Sequence, residues 1–323
     1  MSKTFSRRGS SVVVAIKFND HAPTLIKWGL SIARRMGLPL VLVNVTEHHA
    51  LYFVPYSLPI LDILVSSVEA ENQLIAESQL NNLAEKYLAG YEHKIYARSG
   101  YAAKEILEQA AYSRASLIIV GAAAASHHFV PKGFSTSLTL LAESPVPVLV
   151  ISAAIETAMS SERCIVAFAD DLSPRTESMA RAALKFSASL GGVDFHHVHV
   201  NALTEEVLDA SINSATAASH SQSASLSVKE LVNQINLVLK QKMDARAQEK
   251  EILSTKNGTY ASHLLHGEVQ SQLLEFVRKV KPSIMMFGRH KTFHHRPFLI
   301  GHLPFYVMMD LHLPMIVLPE ERY

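Results

Sequence analysis

Val12-Val-Val-Ala-Ile16 and, 152 positions later, Cys164-Ile-Val-Ala-Phe168 decide the fold. Each is a short, unbroken apolar run followed by turn residues. A strand buried on both faces of a parallel sheet reads this way. Each run leads into a helix start. Asn19 or Asp20 can cap the first helix, with Pro23 in its first turn. Ser173-Pro174 gives the second a cap and then proline at the first helical position. Apolar residues then recur at helical spacing: Leu25, Ile26, Gly29, Ile32, Ala33 and Met36, and Met179, Ala183, Phe186 and Leu190. The helices stop at Gly37 and at Gly191-Gly192. Second strands follow at Leu40–Val45 and Phe195–Val200. Alternation puts Phe195, His197 and His199 on one face of the latter, and His196, Val198 and Val200 on the other.

The two copies match again further on, at an offset of 167. His93–Arg98 leads to Gly100 and a helix with Ile106-Leu107, as Ala261–Leu265 leads to Gly267 and a helix with Leu273-Leu274. The strands Leu117–Val120 and Ile284–Phe287 share that offset, as do Gly121 and Gly288. Final strands stand at Val146–Ile151 and Met315–Leu318, each preceded by proline. The second copy therefore holds 15 extra residues, expected as a Ser/Ala/Gln-rich loop over 213–227 before an amphipathic helix over 228–247. Internal repetition with alternating strands and helices predicts an α/β chain of two tandem doubly wound, Rossmann-like domains. Each is a five-stranded parallel sheet with helices on both faces. Their expected bounds are 1–154 and 158–323, joined by a short Ala/Ser/Glu stretch.

Composition narrows the function classes. Of 323 residues, 48% are hydrophobic and 18% charged, which excludes a disordered chain. Thirty basic residues balance 29 acidic ones, and neither copy is basic, which excludes a phosphate-steered nucleic-acid module. One cysteine, Cys164, excludes a Cys-based zinc cluster and an internal disulfide. It opens a buried strand and reads as core. No secretory signal and no uncharged apolar run of about 18 residues is legible, so a cytoplasmic location without a membrane span is expected. Nucleophile elbows, a Walker lysine loop and a His-Glu-x-x-His helix are all absent from the sequence, which points away from an enzyme.

In open parallel sheets, ligands sit beyond the carboxyl ends of the strands, where strand order reverses. The glycine-bearing turn after the fourth strand is the candidate. Copy two reads Gly288-Arg289-His290-Lys291, nine residues, then Gly301-His302. Copy one reads Gly121-Ala-Ala-Ala124, nine residues, then Phe134-Ser135-Thr136, with Gly133 one place early. Small residues let backbone N–H groups approach a phosphate, and the helix start that follows favours its charge.

These motifs resemble the universal stress protein (UspA) family, in its tandem-domain form, over nearly the whole chain. The likeness rests on the Val-Ala-(Ile/Phe) strand, the Gly-x-x-x-x-(Glu/Gln)-(Ile/Leu)-Leu helix entry, the Gly after strand four and the terminal Pro-Val-Leu-Val or Pro-Met-Ile-Val strand. The resemblance implies a fold of the adenine nucleotide alpha hydrolase-like type. It also implies an intramolecular pseudo-dimer of the two domains through their last strands, and a regulatory role in stress, with ATP the ligand of binding members. Such members carry Gly-x-x-Gly, nine residues, then Gly-(Ser/Thr), and an Asp after the first strand. Here that Asp place holds Lys17 in copy one and Ala169 in copy two, with Asp170 next. The second glycine is Ala124 or Lys291, and Phe134 takes the third place in copy one. The second copy is thus the favoured nucleotide or anion site, through Gly288, Arg289, Lys291, Gly301, His302 and Asp170. Gly121, Gly133, Ser135 and Thr136 are its counterparts in the first copy. Slow ATP turnover stays open beside this binding role.

Two features stand apart. Ten of the seventeen histidines cluster, at His48-His49, His127-His128, His196-His197-His199 and His290 with His294-His295. Adjacent histidines on a strand point to opposite faces, so no metal is assigned; His197 and His199 do share one. The apolar stretch 50–66, read as a loop, offers the alternative function: a scaffold without nucleotide, acting through protein contacts or an apolar ligand there.

Overall fold

A computed structural model describes residues 10–47, 59–122, 136–155, 159, 164–218, 227–289 and 311–319, with backbone alone at 59–66, 175 and 212–218. The chain divides into two compact units, residues 1–161 with 291–323, and residues 162–290. The architecture is α/β with a mostly parallel sheet, as the alternating pattern requires.

The first unit contains β1 (Ser11–Ala15), α1 (Ala22–Met36), β2 (Leu40–Thr46), α2 (Pro59–Leu88) and β3 (His93–Ser99). There follow α3 (Ala102–Tyr112), β4 (Ala115–Ala122), α4 (Thr136–Glu143), β5 (Val148–Ser152) and, from the end of the chain, β10 (Met315–Leu318). Its strands run in the order β3-β2-β1-β4-β5-β10. All pair in parallel except β10, which runs antiparallel to β5 with Met315 opposite Val150. Every residue of β1 and β5 is buried, which explains their unbroken apolar sequence. Gly37 ends α1 in the left-handed conformation, at φ 65°. The cap of α1 differs from expectation: His21 holds the N-cap position, and Asn19 Oδ1 accepts from the His21 N–H at 3.2 Å. Pro23 stands in the first turn, as its fixed φ favours.

The second unit contains β6 (Cys164–Ala169), a 3₁₀ turn (Pro174–Thr176), α5 (Glu177–Leu190), β7 (Val193–Asn201) and α6 (Glu205–Ala218). Then come α7 (Val228–Arg246), α8 (Glu251–Ser254), β8 (Thr259–His266), α9 (Val269–Val280) and β9 (Ile284–Gly288). The order is β9-β6-β7-β8, parallel throughout. Strand order reverses between β6 and β9 here, and between β1 and β4 in the first unit. Residues 213–218, expected in a loop, continue α6, since alanine and serine tolerate helix once its first turn is set. Pro59 onward, read as part of the apolar loop 50–66, opens α2, with proline where its missing N–H costs nothing. Residues 50–58 lie outside the described set. Ser227 caps α7 in a reciprocal box with Glu230.

Candidate site at the carboxyl end of strand β6

Asp170 follows the last residue of β6. Ala169 pairs with Phe287 in register, so Asp170 stands beside Gly288 at the carboxyl ends of β6 and β9, where strand order reverses. Its side chain is fully buried. A buried carboxylate needs partners, and Asp170 has a full set. Oδ1 accepts from Arg246 Nη1 at 2.5 Å and from the Leu172 N–H at 2.9 Å. Oδ2 accepts from Arg246 Nη1 at 2.7 Å and from His197 Nε2 at 2.9 Å. A carboxylate offers about four lone-pair sites, and all are taken.

The network around the carboxylate draws on β7, β8, α7 and the 3₁₀ turn. His197 stands on β7 and turns its Nδ1 to the Tyr260 hydroxyl on β8, 3.0 Å away. His199 Nδ1 meets the Asp170 carbonyl oxygen at 2.7 Å. Arg246, the last residue of α7, also donates from Nη1 to Thr176 Oγ1 at 2.8 Å and from Nη2 to the Ser173 carbonyl. The Thr176 hydroxyl in turn donates to Asp171 Oδ1 at 2.8 Å. Phe195 stacks on Tyr260 with ring centroids 6.0 Å apart, and Phe168 lies 5.7 Å from the His197 ring.

Burial pulls the Asp170 carboxyl upward, but the hydrogen bonds and charges of His197 and Arg246 outweigh it and hold it at about 2. Burial, reinforced by the Asp244 and Asp170 carboxylates, raises Tyr260 above its ordinary value. A protonated Tyr260 can donate to His197 Nδ1, leaving Nε2–H for Asp170. A carboxylate held so low and so fully engaged is a poor general base. The folded pKa lies below the unfolded one, so the ionised form stabilises the fold. The contribution, about 2 kcal/mol, is fully present above pH ~4 and lost as pH falls from about 4 through about 2. The urea midpoint of the wild-type protein should drop across that window, and that of Asp170→Asn should drop less. Equal drops would remove Asp170 from the acid response.

Gly288 and Gly121 owe their size to packing. A Cβ on Gly288 would collide with Met179 Sδ on α5, and one on Gly121 would sit 3.1 Å from His21 Cδ2. Neither has a positive φ. Arg289 is buried, at 4% exposure. Thr136 opens α4. Ser173 holds the N-cap position of the 3₁₀ turn, but its hydroxyl makes no cap bond. Lys291, Gly301, His302, Gly133 and Ser135 lie outside the described residues, as do His48-His49, His127-His128, His290 and His294-His295. At the offset of 152, Lys17 corresponds to Ala169, one place before Asp170. Among the described residues, no group of three or more His, Cys, Asp or Glu could hold a metal ion, and no helix is long and apolar enough to cross a membrane.

Sequence reading missed Arg246, Thr176 and Tyr260. Tyr260 follows from register alone, since it pairs with Phe195. Nothing local marks Arg246, which lies 76 residues from Asp170 in the chain.

Comparison with known proteins fits this architecture. Residues 10–152 match the model of the universal stress protein family. No curated protein matches the sequence. Among solved structures, the chain is similar to a universal stress protein from Archaeoglobus fulgidus DSM 4304, with 15% identity and a TM-score of 0.63, covering 96% of each chain. It is also similar to a functionally unknown protein from Pseudomonas aeruginosa PAO1, with 15% identity and a TM-score of 0.61, over 97% of this chain and 93% of that one. At this identity the likeness speaks for the fold.

Proposed function

We propose, from the match of residues 10–152 to the universal stress protein family, that the chain is a tandem, cytoplasmic stress-response protein with a binding or regulatory role. The second copy carries its nucleotide or anion site. The observation behind this choice is the placement of Asp170 beside Gly288 and the buried Arg289, at the carboxyl ends of β6 and β9. That crevice is where open α/β sheets take ligands. Phosphate would rest on the backbone of the turn from Gly288 to Gly301-His302, with Arg289 and Lys291 supplying charge. The first copy, with Gly121, Gly133, Ser135 and Thr136, keeps the spacing but has Lys17 and Phe134 in ligand positions. The role is binding rather than catalysis, because the one buried carboxylate among the described residues of the crevice is fully engaged.

That engagement also favours a second reading. With Arg246 and His197 on its oxygens, Asp170 has no acceptor left for a ligand, which suits a scaffold acting through protein contacts or an apolar ligand at residues 50–66. One experiment separates the two. Protein purified gently is denatured, and the supernatant is read at 260 nm; apo protein is then titrated with ATP by calorimetry. Bound adenine nucleotide, or heat on titration that Gly301→Val abolishes, is the expected result. An empty supernatant with no heat would transfer the role to residues 50–66.

A further inference from the structure

His196 and His263 form a pair that the Asp170 network leaves aside. They stand on β7 and β8. Register places His196 opposite Ala261 and His263 opposite Val198, so the two are diagonal neighbours on one face of the sheet. That face is covered by α9, whose Phe276 ring stands edge-on to both, with centroids at 6.1 Å from His196 and 5.1 Å from His263. His196 Nδ1 and His263 Nε2 lie 2.8 Å apart, with ring planes within 15° of each other. Both residues are half-buried, and β8 is the last strand in the order of its unit, so water reaches the pair.

The geometry points to a binding site for a divalent metal ion of the zinc class between His196 Nδ1 and His263 Nε2. The chemistry follows from the donor atoms. Imidazole nitrogen suits Zn²⁺, Cu²⁺ and Ni²⁺, and coordination needs neutral rings with lone pairs aimed at one point. Burial keeps both rings below the ordinary histidine pKa; for His263 the nearby His196, Lys279 and His197 push the same way, while Asp194 partly opposes it for His196. Tetrahedral zinc at about 2.0–2.1 Å from each nitrogen needs them about 3.3 Å apart, so the pair opens by about half an ångström. The proton now shared between the facing nitrogens moves to the outer nitrogen of the donor ring. Two neutral rings thus release no proton, whereas a singly protonated pair releases one. Water completes the coordination. Asp194, on the same face two residues from His196, favours the cation, and Lys279 on α9 opposes it.

The test is calorimetric titration of the full-length protein with Zn²⁺ at pH 7.5, for wild type, His196→Gln, His263→Gln and, as a control elsewhere in the chain, His48→Gln with His49→Gln. One binding event should weaken at least tenfold in each of the first two variants and persist in the control. It should also weaken at pH 5.5, where protons compete. Unchanged binding in both single variants, or no binding by the wild type, overturns the site. If either glutamine variant fails to fold, long-range ¹⁵N–¹H spectra of the histidine-labelled wild type decide. Zinc should shift Nδ1 of one ring and Nε2 of another together; shifts confined to other histidines overturn it equally.

Discussion

Asp170→Ala is expected to destabilise the protein by about 3–5 kcal/mol, because it leaves the buried Arg246 guanidinium without its counter-charge and the His197 Nε2–H without its acceptor. Arg246 is 7% exposed and His197 2% exposed, so neither can turn to water in place. The Thr176 hydroxyl and the Ser173 carbonyl would still hold the guanidinium, which keeps the unpaired charge inside. Removing both partners should hurt less. Asp170→Leu with Arg246→Met is expected to recover most of the loss, since a buried ion pair is often no better than apolar residues of similar volume. Urea unfolding at pH 7 of the wild type, Asp170→Ala, Asp170→Leu, Arg246→Met and the Asp170→Leu/Arg246→Met double variant measures the loss and the coupling. A loss below about 1 kcal/mol for Asp170→Ala would mean that water or a ligand already screens the carboxylate.

Phe168→Ala should cost a similar amount, about 3–5 kcal/mol, for a different reason. Phe168 is fully buried within β6, and its truncation leaves a cavity beside the His197 ring. Phe168→Leu keeps most of the volume and should cost about 1 kcal/mol. The two effects part at low pH. The Asp170 contribution fades as pH falls through about 2, whereas the cavity cost of Phe168→Ala does not depend on ionisation. A Phe168→Ala penalty that shrank in parallel with that of Asp170→Ala would show that the ring acts mainly by holding His197 against the carboxylate.

The strands were legible because buried parallel strands must be apolar on both faces. Val12–Ile16 and Cys164–Phe168 were read within a residue of β1 and β6. The helices were legible from spacing, Pro23, Pro174 and the glycine stops. Where reading went astray, composition stood in for structure: Asn213–Ala218 look like linker yet extend α6, and Pro59–Val65 look like an apolar loop yet open α2. Both cases follow from cooperativity, since a helix once nucleated takes in any residue that does not break it.

The candidate site divides in the same way. Sequence by itself determined that the chain is a repeated α/β fold and that a carboxylate follows the sixth strand. It also determined that His197 and His199 share a face, because period two along a strand is a local property. Only the tertiary structure decided that Arg246 closes on Asp170, that Tyr260 completes the chain through His197, and that His196 meets His263 instead of a ligand set on its own strand. It also assigned the glycines at 121 and 288 to helix packing. The physical reason is that hydrogen bonds between side chains of distant elements depend on register and on how a helix end lands on a sheet. Neither quantity is written in any local stretch of residues.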